Sequence, residues 1–247
     1  IEFLCEENTY FKDAQIHRGE ERDDRWNDSR GNKQMTMDAE PYRGTVLEHL
    51  LIQHLTSFFD VGEHNHIKLR GADWNDGLDM ADERGESVAF TALYAGNLKN
   101  LAKDIRAYSE KTGKDTVTIA KELLILISAN KQIYDHIGEK NAVLSEYCEA
   151  VRHIITGEKV EIKCTELCEV LEAMSDWIAN HIRETEWTGD KEGNSWFNGY
   201  YDNSGKAVEG DFESGIRMML TGQVFTIMSE VATKEQVAET FKKVFPY

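Results

Sequence analysis

Proline is nearly missing from this chain, two in 247 residues. No proline-rich linker divides it, and long helices meet few breakers. Cations are also short, 28 Lys and Arg against 45 Asp and Glu, for a formal net charge of -17. Nucleic acid and anionic membrane surfaces both demand a cationic footprint, so neither is expected as a partner, and a neutral substrate fits best. An anionic co-substrate would need a local cluster of Arg, His or helix N-terminal amides. No segment approaches the ~20 apolar residues of a membrane span. Cysteine is sparse: Cys5, Cys148, Cys164 and Cys168 show no zinc-type pairing. Cys164 and Cys168 stand one helical turn apart, so we expect reduced core thiols and a reducing, cytoplasmic setting.

A hydrophobic fraction of 40% is enough for a sizeable core, and 247 residues fit one large domain or two small ones. Residues 1–44 are polar and irregular and read as a lead-in. From Thr45, Val46, Leu47, Leu50, Leu51, His54, Leu55 and Phe58 recur at helical spacing. Ser87 caps a helix expected over 88–108, with Phe90, Leu93, Tyr94, Leu98, Leu101 and Ile105 on its apolar positions. Further helices are expected over 116–129, 141–155, 165–184, 212–229 and 234–244. The pattern predicts one all-α domain of helical hairpins over 45–247, with functional loops, as in part of a helical toroid. Between 186 and 210 it breaks into Trp187, Trp196, Phe197, Tyr200 and Tyr201 among glycines, a second loop or short hairpin whose aromatics suit a sugar cleft.

The densest chemistry is Gly71-Ala72-Asp73-Trp74-Asn75-Asp76-Gly77-Leu78-Asp79. An indole beside a carboxyl desolvates its charged form and raises its pKa, as a general acid requires near neutral pH. The glycines would bring the acids to a loop tip. A calcium loop fails, because placing Gly77 sixth puts Ala72 and Trp74 at ligand positions. A plain solvated turn stays open, though Trp74 is an expensive residue to expose there. His64-Asn65-His66 could present two rings on one face, but no third metal ligand stands nearby, and no metal is expected. His49 and His54 read as helix-packing residues.

Ala72-Asp73-Trp74-Asn75-Asp76-Gly77-Leu78 followed by Gly85-Glu86-Ser87-Val88 resembles the active-site segment of the inverting β-glycoside phosphorylases, the cellobiose and chitobiose phosphorylase family. Val46-Leu47-Glu48-His49, the segment from Trp196 to Gly205, and Gly222-Gln223-Val224-Phe225-Thr226-Ile227-Met228-Ser229 are similar to further stretches of that family, in the same order. The resemblance implies part of an (α/α)6-barrel catalytic domain that cleaves a β-glucosidic bond with inorganic phosphate, giving α-glucose 1-phosphate with inversion. It implies Asp76 as general acid, Trp74 lining the subsite of the transferred sugar, and Asp73 and Asn75 shaping the loop or binding hydroxyls. Gln223 matches the family's helix glutamine. Arg217 and Glu86 are further substrate-binding candidates, Arg217 reading equally as a surface partner of Glu213 and Glu86 as a first-turn acid. Glu209 is a weaker acceptor-side candidate.

One catalytic carboxylate suffices for phosphorolysis, because phosphate arrives as an anion, whereas an inverting hydrolase needs a second carboxylate as base. No cofactor is expected, phosphate being a co-substrate. The family's upstream Arg and Asp for the transferred sugar and its downstream phosphate-binding His and Thr-Gly elements have no counterpart here. We therefore expect Ile1 to Tyr247 to be an incomplete piece, with the remainder of the polypeptide as its partner and a homodimer as the full-length assembly. An inverting hydrolase and a non-catalytic carbohydrate-binding module remain alternatives.

Overall fold

A computed structural model describes residues 1–11, 33–70 and 76–244. In chain order the elements are β1 (Thr9–Tyr10), β2 (Met35–Thr36), β3 (Arg43–Gly44), α1 (Val46–Phe59), β4 (Ile67–Lys68), β5 (Glu86–Ser87), α2 (Val88–Thr112) and β6 (Thr116–Ala120). There follow α3 (Leu124–Ile127), α4 (Ile137–Ala150), β7 (Ile154–Ile155), β8 (Lys159–Lys163), α5 (Cys164–Thr185), β9 (Trp187–Gly189), β10 (Ser195–Phe197) and β11 (Tyr200–Tyr201). The chain closes with β12 (Gly210–Phe212), β13 (Gly215–Arg217), α6 (Leu220–Met228) and α7 (Lys234–Val244).

The all-α, (α/α)6-type reading is overturned. Helix makes up 52% of the structure and strand 19%, the strands lying in several small sheets. Three of the expected helices are partly strand: Ile154–Ile155, in the helix expected over 141–155, form β7, and two longer stretches differ as well. Residues 116–120 form β6, because Thr116-Val117-Thr118-Ile119 alternates β-branched residues that bury Val117 and Ile119 on one face. Its antiparallel partner β8 sets Val117 opposite Ile162 and Ile119 opposite Val160. Residues 210–217 form the β12–β13 hairpin, Gly210 and Gly215 carrying positive φ of 150° and 113°, and helix begins only at Leu220.

Two compact units divide the chain. The first comprises residues 1–56, 101–130 and 141–170. There the buried Glu48 carboxylate accepts bonds from the Tyr42 hydroxyl at 2.6 Å, the Thr45 amide at 2.8 Å and the Ala120 amide at 2.9 Å. Thr45 Oγ1 in turn accepts the Glu48 amide at 3.1 Å, a reciprocal cap at the entry of α1. His49 stacks on Phe11 with ring centroids 3.9 Å apart, a packing role as expected.

The second unit comprises residues 57–100, 131–140 and 171–247 and carries the described residues of the acid segment. Ser87 caps α2, its hydroxyl accepting the Phe90 amide at 3.0 Å. Trp196, Phe197 and Tyr200 are fully buried, and Tyr200 packs with Leu69, Ala81, Ala89 and Val208. Each such side chain contributes about 1.5–3 kcal/mol of transfer free energy. The segment from 186 to 210 opens with the β9–β10 hairpin, Trp196 standing opposite Thr188.

Candidate functional site

Residues 71–75, and with them Asp73, Trp74 and Asn75, lie outside the described residues. Their flanks are described, the side chains of Asp76 and Leu78 excepted. Strand β4 leads in, a 3-10 helix over Asp76–Ala81 leads out, and β5 returns antiparallel to β4 with Ile67 opposite Ser87 and Lys68 opposite Glu86. The Leu69 amide bonds the Gly85 carbonyl at 3.0 Å, and the Gly85 amide bonds the Ala81 carbonyl at 3.0 Å. Arg70, at φ 45°, forms a two-pronged pair with Asp60, both contacts 2.5 Å. Burial alone would raise the Asp60 pKa, but Arg70 and Lys68 pull it below the ordinary value.

Glu86 fastens the two ends of this segment. Its carboxylate accepts the backbone amides of His64 and His66 at 3.0 Å each, and the His64 Nδ1–H at 2.8 Å. The residue is 2% exposed, so these donors replace its hydration. Gly62 lies under it: a Cβ there would stand 2.4 Å from the Glu86 carboxyl carbon.

On the other edge of β5 lies β11, Tyr201 opposite Glu86 and Tyr200 opposite Ser87. Tyr201 stacks on His64 with centroids 3.6 Å apart, and its hydroxyl donates to Glu186 at 2.9 Å. Glu186 also accepts from His66 Nε2 at 2.9 Å, Asn198 Nδ2 at 2.9 Å and the Thr185 hydroxyl at 3.0 Å. Burial would raise this carboxyl, but the His66, Asn198 and Tyr201 bonds hold it at about 2. Burial first, and Glu186 next, push the Tyr201 hydroxyl above the usual phenol range. The two histidines are thus acceptor-bound side chains against Tyr201. Among the described residues, no group of three or more His, Cys, Asp or Glu is arranged to hold a metal ion.

Asn203 joins the aromatic segment to the exit of the acid segment. Its side-chain oxygen accepts the Glu83 and Arg84 amides at 3.0 and 2.8 Å, its amide group donates to Asp82 at 2.8 Å, and its backbone N–H donates to the Met80 carbonyl at 2.7 Å. Gln223 is 1% exposed and lies against Phe197. Glu209 accepts the Gly199 amide at 2.9 Å and the Met219 amide at 2.8 Å. Burial pushes Glu209 up to about 8 against the pull of those two amides. Arg217 stands apart on the exposed hairpin strand β13, its guanidinium over the Phe212 ring and bonded to the Ser214 hydroxyl at 3.3 Å.

The structure therefore brings Glu86, the residues after Asp76, the aromatic segment and Gln223 into one unit. Three groups of this hydrogen-bonded cluster, His64, His66 and Glu186, are given no role by the sequence. His64 and His66 act through Glu86 and Glu186, and Glu186 sits 120 positions from the histidine it holds. Only the close repetition of His64-Asn65-His66 before an acid-rich segment hints at them. A scan against models of known protein families finds no match, and a search of curated proteins finds none either.

Proposed function

We propose that this chain is the acid-bearing part of an inverting β-glycoside phosphorylase, acting on a β-linked glucosyl disaccharide or oligosaccharide to give α-glucose 1-phosphate. The observation that carries this reading is the meeting of separate resembling segments. Strand β5 from Gly85-Glu86-Ser87-Val88 pairs with β11 from the Tyr200-Tyr201 stretch, Asn203 bonds the chain at Met80, Asp82, Glu83 and Arg84, and Gln223 grips Phe197. Three of the four resembling stretches thus meet in one unit, and the fourth, Val46-Leu47-Glu48-His49, belongs to the other.

In this reading Asp76 protonates the leaving glycosidic oxygen while phosphate attacks the anomeric carbon from the opposite face. Trp74 lines the subsite of the transferred sugar, and Asp73 and Asn75 hold its hydroxyls or the loop. Phosphate needs no general base. The buried carboxylates around the segment agree with that economy: Glu86, Glu186 and Glu209 each accept two or more bonds from protein donors, which leaves them poorly placed to deprotonate water. Cys164 and Cys168 are buried thiols outside any disulfide, which suits a reducing, cytoplasmic setting.

The test is to incubate the full-length protein with phosphate and a panel of β-linked glucose and N-acetylglucosamine disaccharides, assaying sugar 1-phosphate. Phosphate-dependent product should fall by roughly 10²–10⁴-fold in Asp76→Asn. Free sugar formed without phosphate would instead establish a hydrolase. Disaccharide binding unaffected by Asp76→Asn, without turnover, would establish a binding module.

A further inference from the structure

We propose that Glu86 is a positioning residue for the acid segment, fixing where Asp76 stands without itself touching substrate. This deepens the phosphorylase reading and rests on it for the role of Asp76. The geometry of the clasp is independent of that role.

The segment between β4 and β5 leaves the sheet at Leu69 and returns at Gly85, joined there by a single amide-to-carbonyl bond. Two-residue strands supply little register of their own, so something else must hold the two ends together. Glu86 does so. Its two oxygens take up the amides of His64 and His66, which precede the segment, while its own backbone belongs to the strand that follows. The His64 ring supplies a third donor and is itself wedged flat against Tyr201. All three donors point at a carboxylate that is 2% exposed. A group so enclosed, with both oxygens already bonded to the protein, is closed to a sugar hydroxyl, and its natural effect is on backbone placement.

The arrangement is chemically selective. A glutamine at position 86 keeps the shape, but its NH₂ replaces one of the two acceptor oxygens, so at least one of the three donors, the His64 amide, the His66 amide or the His64 ring N–H, loses a carboxylate acceptor. The bonded ends then part, and the exit of the acid segment from Asp76 onward shifts with them. A displacement of about 1 Å at a catalytic group is enough to cost on the order of 10²-fold in rate.

The experiment compares wild type and Glu86→Gln in the full-length protein, by amide hydrogen exchange and by phosphorolysis kinetics. We expect faster exchange confined to residues 62–69 and 76–85, with helix α5 unchanged. We expect kcat to fall on the order of 10²-fold with the KM for phosphate held. A raised KM for the sugar with unchanged kcat and exchange would overturn the proposal and make Glu86 a substrate contact; so would a variant indistinguishable from wild type. Should Glu86→Gln fail to fold, His64→Phe decides, since it keeps the stack on Tyr201 and removes one donor of three. It should show the same changes at several-fold, and no change would refute the clasp. If wild type makes no sugar phosphate, the phosphorylase reading fails and the exchange pattern alone judges Glu86.

Discussion

Gln223 satisfies both backbone polar groups of Phe197, its side-chain oxygen accepting the Phe197 amide at 2.9 Å and its NH₂ donating to the Phe197 carbonyl at 2.7 Å. One side chain thus serves as a strand partner at the end of β10. Gln223→Ala would strand both groups in a buried place, at about 2–4 kcal/mol in total. Gln223→Glu should be at least as damaging, because a carboxylate oxygen would then face the Phe197 carbonyl. Urea unfolding would measure both, and a glutamate variant as stable as wild type would sink this account of the clamp.

Gly85 has a comparable constraint of shape. A Cβ built on it would stand 2.2 Å from the Ala81 carbonyl oxygen and 2.4 Å from the Ala81 Cβ. Both are parts of the main structure with no flexible end to yield, so the 3-10 helix or β5 must move. We expect Gly85→Ala to lower stability by about 1–3 kcal/mol, as overpacking does. Gly138, where an added Cβ meets nothing within 4 Å, is the control. Gly138→Ala lies in helix α4 and should be neutral or stabilising by up to about 1 kcal/mol, read in the same denaturation series.

These two cases show where the sequence speaks and where it falls silent. Helices α1, α2, α5 and α7 follow from a 3.6-residue apolar period, and Ser87 announces the start of α2. Residues 116–120 misled because they run into the apolar stretch Leu123-Leu124-Ile125-Leu126-Ile127, and a short apolar run does not by itself separate strand from helix. Their strand state depends on pairing with β8, more than 35 positions away. Gln223 is visible as a position of interest, but its bonds to Phe197 are not, because 26 residues separate them. The bonding of Glu86 by His64 and His66 is hidden for the same reason: period and motif report local geometry, and a buried carboxylate chooses donors across the fold.

Glu186 should govern part of the acid stability. Its folded pKa of about 2 lies below the 4.5 of an unperturbed glutamate, so its contribution is complete above pH 4.5. That contribution disappears as the pH falls from 4.5 toward 2. Glu186→Gln would turn an NH₂ toward one of the His66, Asn198, Thr185 or Tyr201 donors and should cost about 3–5 kcal/mol at pH 7. The gap between wild type and variant, followed by urea unfolding, should shrink below pH 4.5. A gap that stays constant from pH 5 to 2 would mean that Glu186 is not held ionised.

Lys140 works in the opposite sense. The residue is 1% exposed, and its amine lies 4.0 Å from the centre of the Phe58 ring and 4.5 Å from that of Trp177 and donates to Asn65 Oδ1 at 2.9 Å. Burial pushes its pKa down from 10.5 to about 7, Asp135 pulling weakly the other way. Between pH 7 and 10.5 the unfolded chain therefore binds a proton that the folded chain does not, and on this account stability rises with pH across that window. Below pH 7 both states are charged and the full penalty of the buried ammonium remains. Lys140→Met removes the titration and keeps the apolar stem between the two rings, at the expense of the bond to Asn65. The stability of the variant relative to wild type should be greatest at or below pH 7 and decline steadily toward pH 10.5, whatever the offset from Asn65. Because other lysines and tyrosines titrate alike in both proteins, the difference curve isolates Lys140. A flat difference from pH 7 to 10.5 would show that the buried amine keeps an ordinary pKa, and that Phe58, Trp177 and Asn65 together offset its desolvation.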